Sequence, residues 1–341
     1  MKPQHFVALL VAAVLSLGIA VSAYVSTRPW SDMGRGGTEA MLPTLKADAD
    51  KVAAIEIKQG GNVLKLSRRD GRWVITSQED YPASVEAIRK FLLAASEASL
   101  VERKTAKKDM LAFLGLGDPT VAGASSRLIR FLDASDASIA EIIAGNGKND
   151  AFGASKSGTY VRRPGEDQSW LADRSIDGSS RLSDWVKTRV LDQSPESIKS
   201  ATIEVAGEPA YTIGRDADGK GHKLSQIPAG KKLKYVNSVD ELIESASYVE
   251  FRGVRKAGKS DAIPGAGKVT FETDSGLKVE LDLKSDGKQA WVKISASGDG
   301  DGKKDADAIS ALVNGWEFEI PVAKVTGLMK KQADLLEDAG S

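Results

Sequence analysis

The sequence predicts an α+β fold: one N-terminal transmembrane helix, then two tandem duplicated domains, each an antiparallel sheet packed on helices. Three observations carry that prediction. Residues 6–25 are an uncharged apolar run of the length that spans a bilayer. Beyond residue 50, apolar and polar residues alternate between Gly- and Asp-rich turns, the period of half-buried strands joined as hairpins. Strand, strand and amphipathic helix also follow one another in the same order twice, the grammar of an antiparallel sheet covered by helices.

Taken in order, residues 1–5 carry the α-amine, Lys2 and His5, and positive charge on this short side keeps it in the cytoplasm. Phe6 to Val25 reads FVALLVAAVLSLGIAVSAYV; as a helix it covers about 30 Å at ~1.5 Å per residue. Phe6, Leu9, Leu10, Val14, Leu17, Ile19 and Val21 supply its bulk, and Tyr24 and Trp30 stand where an aromatic belt forms. The chain is therefore expected in a bacterial inner membrane, single-pass, with its bulk in the periplasm, where a cysteine-free protein needs no oxidative folding. Val21-Ser22-Ala23 also has the small-residue pattern of a signal-peptidase site, so cleavage after Ala23 is the competing reading. The length of the apolar run favours the uncleaved anchor. Residues 26–49 are rich in Gly, Pro and Asp and read as a linker with one apolar contact, Met41-Leu42-Pro43.

The first repeat, residues 50–193, opens with VAAIEI and VLKLSRRDGRWVIT; the second, 196–338, opens with IKSATIEV and AYTIGRDADGKGHKLS. Ile55 and Ile57 in one copy, Ile203 and Val205 in the other, mark the alternating strand. Amphipathic helices are predicted over Ser84–Ser99 (Val85, Ile88, Leu92, Ala95) and Ser238–Ser247 (Val239, Leu242, Ile243, Ala246). Ser84 and Ser238 stand as N-caps, and Glu241 completes a capping box in the second copy alone. Ser99–Glu102 then matches Ser247–Glu250, Leu128–Phe131 matches Val269–Phe271, and Ile139–Ile143 matches Leu277–Leu283. Tyr160-Val161-Arg162 likewise matches Trp291-Val292-Lys293. A tryptophan strand (Trp170–Ala172; Trp316–Phe318) and a terminal helix (Leu182–Leu191; Val322–Leu336) close each copy. On the last helix Val325, Leu328, Met329, Leu335 and Leu336 form an apolar stripe, expected to enter the core. If that helix were a detachable arm, the stripe would be the best partner-docking surface in the chain.

Composition restricts the chemistry. With 47 basic and 47 acidic side chains the chain has no net charge, and so no footprint for nucleic acid. It has no cysteine, which excludes disulfides, thiol nucleophiles and Cys-ligated metals. Its second histidine, His222, lies in the turn GKGHKL without an apolar wall, and reads as an exposed turn residue rather than a catalytic base. GVRKAGKS at Gly253–Ser260 has P-loop spacing, yet Ala262-Ile263-Pro264-Gly265 breaks the helix such a loop must open. Asp299, Asp301, Asp305 and Asp307 lack calcium-loop order, since Lys303 and Ser310 stand fifth and twelfth from Asp299. Asp216-x-Asp218 fails in the same way and, like the other Gly/Asp stretches, reads as an exposed hairpin. Glu56, Glu204, Glu280, Asp282, Glu317 and Glu319 fall on alternate strand positions and read as solvent-facing. Trp73, Trp170, Trp185, Trp291 and Trp316 read as core. No catalytic residue, metal ligand or cofactor site is predicted.

Met41-Leu42-Pro43, Arg72-Trp73, Tyr81-Pro82, Leu114-Gly115-Leu116, Tyr160-Val161-Arg162-Arg163, Ser169-Trp170-Leu171-Ala172 and Trp185 together resemble the landmarks of the DUF4340 family, membrane-anchored bacterial envelope proteins. The second copy departs from them, with Gly221-His222-Lys223 in the place of Arg72-Trp73. The resemblance implies an extracytoplasmic subunit associated with ABC transporters of the gliding-motility type, and brings no catalytic residues with it. The expected function is therefore a non-catalytic auxiliary or scaffolding subunit of a membrane assembly, partnered by the membrane and by a transporter permease or accessory subunit. Two other readings stay open: a carbohydrate-binding or carbohydrate-cleaving envelope protein using Trp and paired carboxylates, and a periplasmic binding protein released by cleavage.

Overall fold

The computed structural model describes residues 39–217, 219 and 221–340; the N-terminus 1–5, the anchor residues Phe6 to Val21 and the cleavage point after Ala23 lie outside them. Among the described residues no helix is long and apolar enough to cross a membrane. What is described is mixed α+β with antiparallel sheets, in two compact units that interleave along the chain. Among the described residues, one comprises residues 39–67 together with Ile88–Ser180; the other comprises Arg68–Ala87 and the residues from Arg181 onward.

The first unit is built on β1 (Glu39–Ala40), helix α1 (Pro43–Asp48), β2 (Ala54–Gln59) and β3 (Asn62–Arg69). The chain then supplies β4 (Arg72–Ile75) and β5 (Tyr81–Pro82) to the second unit before helix α2 (Val85–Glu97). Next come β6 (Ser99–Arg103), the short α3 (Lys108–Leu111), β7 (Arg127–Leu132), β8 (Ser138–Lys148), β9 (Gly158–Arg162) and β10 (Ser169–Ala172). The strands of the unit lie in the order β1-β6-β10-β9-β8-β7-β2-β3. Gly60 and Gly61, at φ 59° and 85°, turn β2 into β3 between the paired Gln59 and Asn62, as a two-residue type I′ hairpin requires. Ile55 and Ile57, opposite Phe131 and Ile129, are fully buried, and Phe91 from α2 stacks on Phe131 at 5.9 Å. The Ser84 hydroxyl accepts the Ala87 N–H at 3.2 Å, the N-cap bond expected of it.

Two expectations are corrected here. Residues 39–49 are not linker: Met41 and Leu45 are fully buried, the Met41 N–H donates to Ala98 O at 2.8 Å, and Thr44 Oγ1 donates to Ile139 O at 2.8 Å. Their apolar side chains draw the segment into the first core. Leu182–Leu191 is not a helix either. A 3₁₀ turn at Leu182–Asp184 leads into β11 (Arg189–Asp192), where Val190 and Leu191 are both buried, one on each face of a short strand.

The second unit continues with β12 (Ile198–Val205), β13 (Tyr211–Arg215), β14 (His222–Leu224), β15 (Lys231–Leu233), α4 (Ser238–Ser247), β16 (Tyr248–Glu250) and β17 (Gly253–Lys256). It ends with β18 (Gly265–Thr273), β19 (Leu277–Ser285), β20 (Ala290–Gly298), α5 (Gly302–Val313), β21 (Trp316–Ile320), α6 (Val322–Leu328) and β22 (Leu336–Asp338). Its main sheet runs β14-β13-β12-β18-β19-β20-β21-β17, with β11 on β16 and β15 on β22 as separate ladders. Val269, Phe271, Val279, Leu281, Leu283 and Val292 form the sheet side of one continuous core, and Val239, Leu242, Ile243 and Ala246 of α4 close it. Tyr81 enters the same core edge-on to Trp316, with ring centroids 4.9 Å apart, and its burial pushes the phenol up to about 12.

Three further corrections fall in this unit. Ser238 is not the N-cap of α4: Asn237 holds that position without a side-chain cap bond, and Ser238 Oγ donates to Tyr235 O at 2.8 Å instead. The Gly/Asp-rich stretch after β20, read as an exposed hairpin, opens α5, because Ala306, Ile309 and Val313 recur on one buried stripe. The terminal helix stops at Leu328; Gln332–Leu335 is a 3₁₀ turn and Leu336 begins β22.

Candidate functional site

A buried polar cluster surrounds Glu317, a residue the alternation of Trp316-Glu317-Phe318-Glu319-Ile320 placed in solvent. Its side chain is only 3% exposed. β17 and β21 are antiparallel neighbours, and their register sets Arg255 directly opposite Glu317. Arg255 Nε donates to Glu317 Oε1 at 2.6 Å, and the buried Ser260 hydroxyl donates to Oε2. Trp291 on β20 supplies the floor, with the guanidinium carbon of Arg255 3.6 Å from its ring centroid, a cation–π contact. Both carboxylate oxygens are thus engaged, and the charge is balanced where it is desolvated. Arg255 Nη2 is buried without a hydrogen-bond partner.

A cleft of about 190 Å³ opens beside this cluster, bounded by Ser260, Asp261, Lys284, Trp291 and Glu317. Lys284 Nζ donates to Asp261 Oδ1 at 2.7 Å, and that bond holds the Asp261 carboxyl below the usual carboxylate range. Acids and a tryptophan around a cleft are the ingredients of a sugar site, but their geometry here does other work. Trp291 is 8% exposed, with the Arg255 guanidinium on its ring, which leaves little surface on which a sugar could stack. Glu317, tied to a guanidinium and a hydroxyl, clamps β17 to β21.

The P-loop-like string occupies the same corner. Gly253–Lys256 is strand β17, and no helix follows it before β18. Lys259 Nζ donates to Glu79 Oε1 at 2.5 Å and the Lys256 N–H to Glu79 Oε2 at 3.1 Å; the Lys259 bond, then the Lys256 bond, lowers the Glu79 carboxyl. With Ser260 on Glu317, the lysine and the serine of the string both serve intramolecular contacts.

The chain matches the model of the family described as "Domain of unknown function (DUF4340)" over residues 73–278, more than half of its length. It belongs to the DUF4340 family. No curated protein matches it. The DUF4340 match takes in Arg255 and Ser260 but ends before Trp291 and Glu317, so the clamp draws on both the matched and the unmatched part of the chain.

The other sequence candidates fall at separate places. His222 is not an exposed turn residue: its side chain is 6% exposed, with Nε2 2.9 Å from Ile198 O and Nδ1 3.2 Å from Asp240 Oδ1. Val325, Leu328 and Leu335 are buried in the second core, and Met329 and Leu336 pack against it half-buried, which leaves no exposed stripe for a partner. Trp73, Trp185, Trp291 and Trp316 are buried; Trp170 is half-buried with Arg103 5.4 Å from its ring centroid. Sequence reasoning missed the Arg255–Glu317 pair, whose only signal was a cation and an acid on two strands whose pairing had still to be known.

Proposed function

We propose that this DUF4340 protein is a non-catalytic, single-pass protein of the bacterial inner membrane, its bulk in the periplasm, acting as an auxiliary or scaffolding subunit of a membrane assembly. An ABC transporter is the assembly that the family resemblance suggests, with a permease or accessory subunit as partner. The uncharged run Phe6–Val25 carries the reading. Leu, Ile, Phe and Val each favour the centre of a spanning helix by about 0.3–0.6 kcal/mol, and the run carries no charge, with Ser16 and Ser22 as its polar interruptions. Only residues 26–38 separate it from β1, where Glu39 and Ala40 pair with Leu100 and Ser99, so a body tied into its first sheet would ride close to its anchor. The engagement of both Glu317 oxygens and the cation on Trp291 weigh against the carbohydrate reading.

The two units are, in this reading, copies of one duplicated α+β domain. Support comes from strand order: β6-β10-β9-β8-β7-β2-β3 in one unit, β17-β21-β20-β19-β18-β12-β13 in the other. Strand by strand, the two series follow the same chain order, with α2 and α4 at equivalent points; β6 then corresponds to β17 and not, as the match of Ser99–Glu102 to Ser247–Glu250 implies, to β16, and β16 and α5 have no counterpart among the described residues of the first unit. Register agrees as well. Ile55 and Ile57 face Phe131 and Ile129 as Ala201 and Ile203 face Phe271 and Val269.

Carbonate extraction of membranes containing the full chain tests the anchor. Retention in the pellet at full length is the expected result; release by osmotic shock with a new N-terminus at Tyr24 would replace this account with that of a soluble periplasmic protein.

A further inference from the structure

Helix α6 turns Val325 and Leu328 into the core, while Lys324, between them and β21, points elsewhere. It lines a pocket of about 510 Å³ together with Ser245, Tyr248, Glu250, Arg252 and Pro321, a volume within the range of small-molecule sites. The Lys324 ammonium donates to the main-chain oxygen of Ser245, in the last turn of α4, and sits 3.8 Å from the Tyr248 ring centroid. Among the described residues it has no carboxylate partner. Glu250, the acid on this wall, is turned to Arg189, with Nη2 at 3.6 Å, and to the Thr188 hydroxyl at 3.4 Å. Arg189 also bonds Asp192 at 3.3 Å and lies 5.1 Å from the Tyr248 ring centroid. Arg252 is exposed on the rim, with no carboxylate bonded to its guanidinium among the described residues. The pocket therefore presents two cations that bond no carboxylate, beside an aromatic wall and a Glu250 engaged by Arg189.

We propose that this pocket binds the oxyanion of a small carboxylate or phosphate-monoester ligand, with Lys324 and Arg252 as its cationic contacts and the Tyr248 ring as its wall. An anion here supplies the charge partner that Lys324 lacks. Burial, with Arg189 nearby, lowers the Lys324 amine to about 8, the mark of an ammonium short of compensation. The same site without a ligand is a lysine capping the C-terminal carbonyls of α4, and the two roles separate by experiment.

The test is calorimetric titration of the full chain in dodecyl maltoside micelles, at low salt and neutral pH, with phenyl phosphate and with benzoate. Saturable binding of either at one site per chain, weakened at least tenfold in Lys324→Met and in Arg252→Met but not in Lys303→Met, exposed beside Gly298 at the far end of β20 from the Ala290–Ile320 pair, is the expected result. Which of the two ligands binds assigns the site to phosphate or to carboxylate. Arg252 is exposed, so its variant stays informative even if Lys324→Met unfolds. A second readout needs no variant: the bound ligand should slow acylation of Lys324 by limiting acetic anhydride at least fivefold relative to the other lysines, read by peptide mass mapping. Absence of saturable binding by both ligands, binding unchanged in the two variants, or no protection of Lys324 overturns the proposal.

Discussion

Replacing Arg255 by methionine removes the guanidinium from the buried carboxylate and leaves everything else in its corner in place. The Glu317 side chain is 3% exposed and that of Arg255 21%. Removing one member of a buried pair costs about 3–5 kcal/mol, chiefly from the uncompensated charge left behind. Ser260 continues to donate to Glu317, and the partial exposure of Arg255 admits some water, which places the loss near the lower end, about 3 kcal/mol. In a unit of this size each kcal/mol moves the midpoint by about 2–4 °C, so the transition of the second unit should fall by about 6–12 °C. Differential scanning calorimetry of the full chain in micelles resolves this, with the first unit's transition as internal reference. Arg255→Met/Glu317→Leu should recover most of the loss, because an apolar pair of similar bulk leaves no charge to compensate. A single variant within about 1 kcal/mol of the parent, or a double variant no better than the single, would refute the clamp.

Other perturbations follow from the same structure. Leu328→Asp should cost at least about 3 kcal/mol by placing an unpaired charge in the second core, where Leu328 is fully buried; urea unfolding that leaves the second unit untouched contradicts this. Gly145→Ala should destabilise the first unit by about 1–3 kcal/mol, since the added Cβ would meet Leu114 O at 2.3 Å, and thermal unfolding reports it. With the Lys324 amine lowered by burial to about 8, the folded state releases that proton before the unfolded state does. Stability relative to Lys324→Met should therefore be flat below pH 8 and rise as pH climbs from 8 toward the ordinary lysine range; a gap independent of pH across that window contradicts the burial of the amine. His222→Phe should cost about 1–2 kcal/mol through the two bonds to Ile198 and Asp240, checked by urea denaturation.

Much of this fold is readable in the chain because period and turn chemistry agree. Ile55 and Ile57 alternate as a strand must, Gly60-Gly61 closes their hairpin, and Val239, Leu242, Ile243 and Ala246 mark α4 to the residue. Where the reading fails, local signal and tertiary context disagree. Asp299 to Asp307 carries turn composition, yet Ala306, Ile309 and Val313 recruit it as a helix. Lys330, Lys331 and Gln332 continue a helical pattern that the chain abandons after Leu328, and Leu336 goes on to pair with Leu233 instead. Glu317 obeys the polar half of its strand's alternation, and only the neighbouring strand's Arg255, with Ser260 after it, converts a solvent-facing position into a buried one. The Lys324 pocket was invisible for a related reason: its walls come from α4, β16 and α6, which no spacing in the sequence brings together.

The proposed function makes the chain a membrane-tethered subunit of a larger assembly. Purification of the full chain from its own membranes in mild detergent, followed by native mass measurement, addresses that claim most directly. The prediction is a defined complex in which this chain and at least one integral membrane protein occur in fixed stoichiometry. Recovery of the chain alone, as a monomer or homo-oligomer across mild detergents, would contradict it.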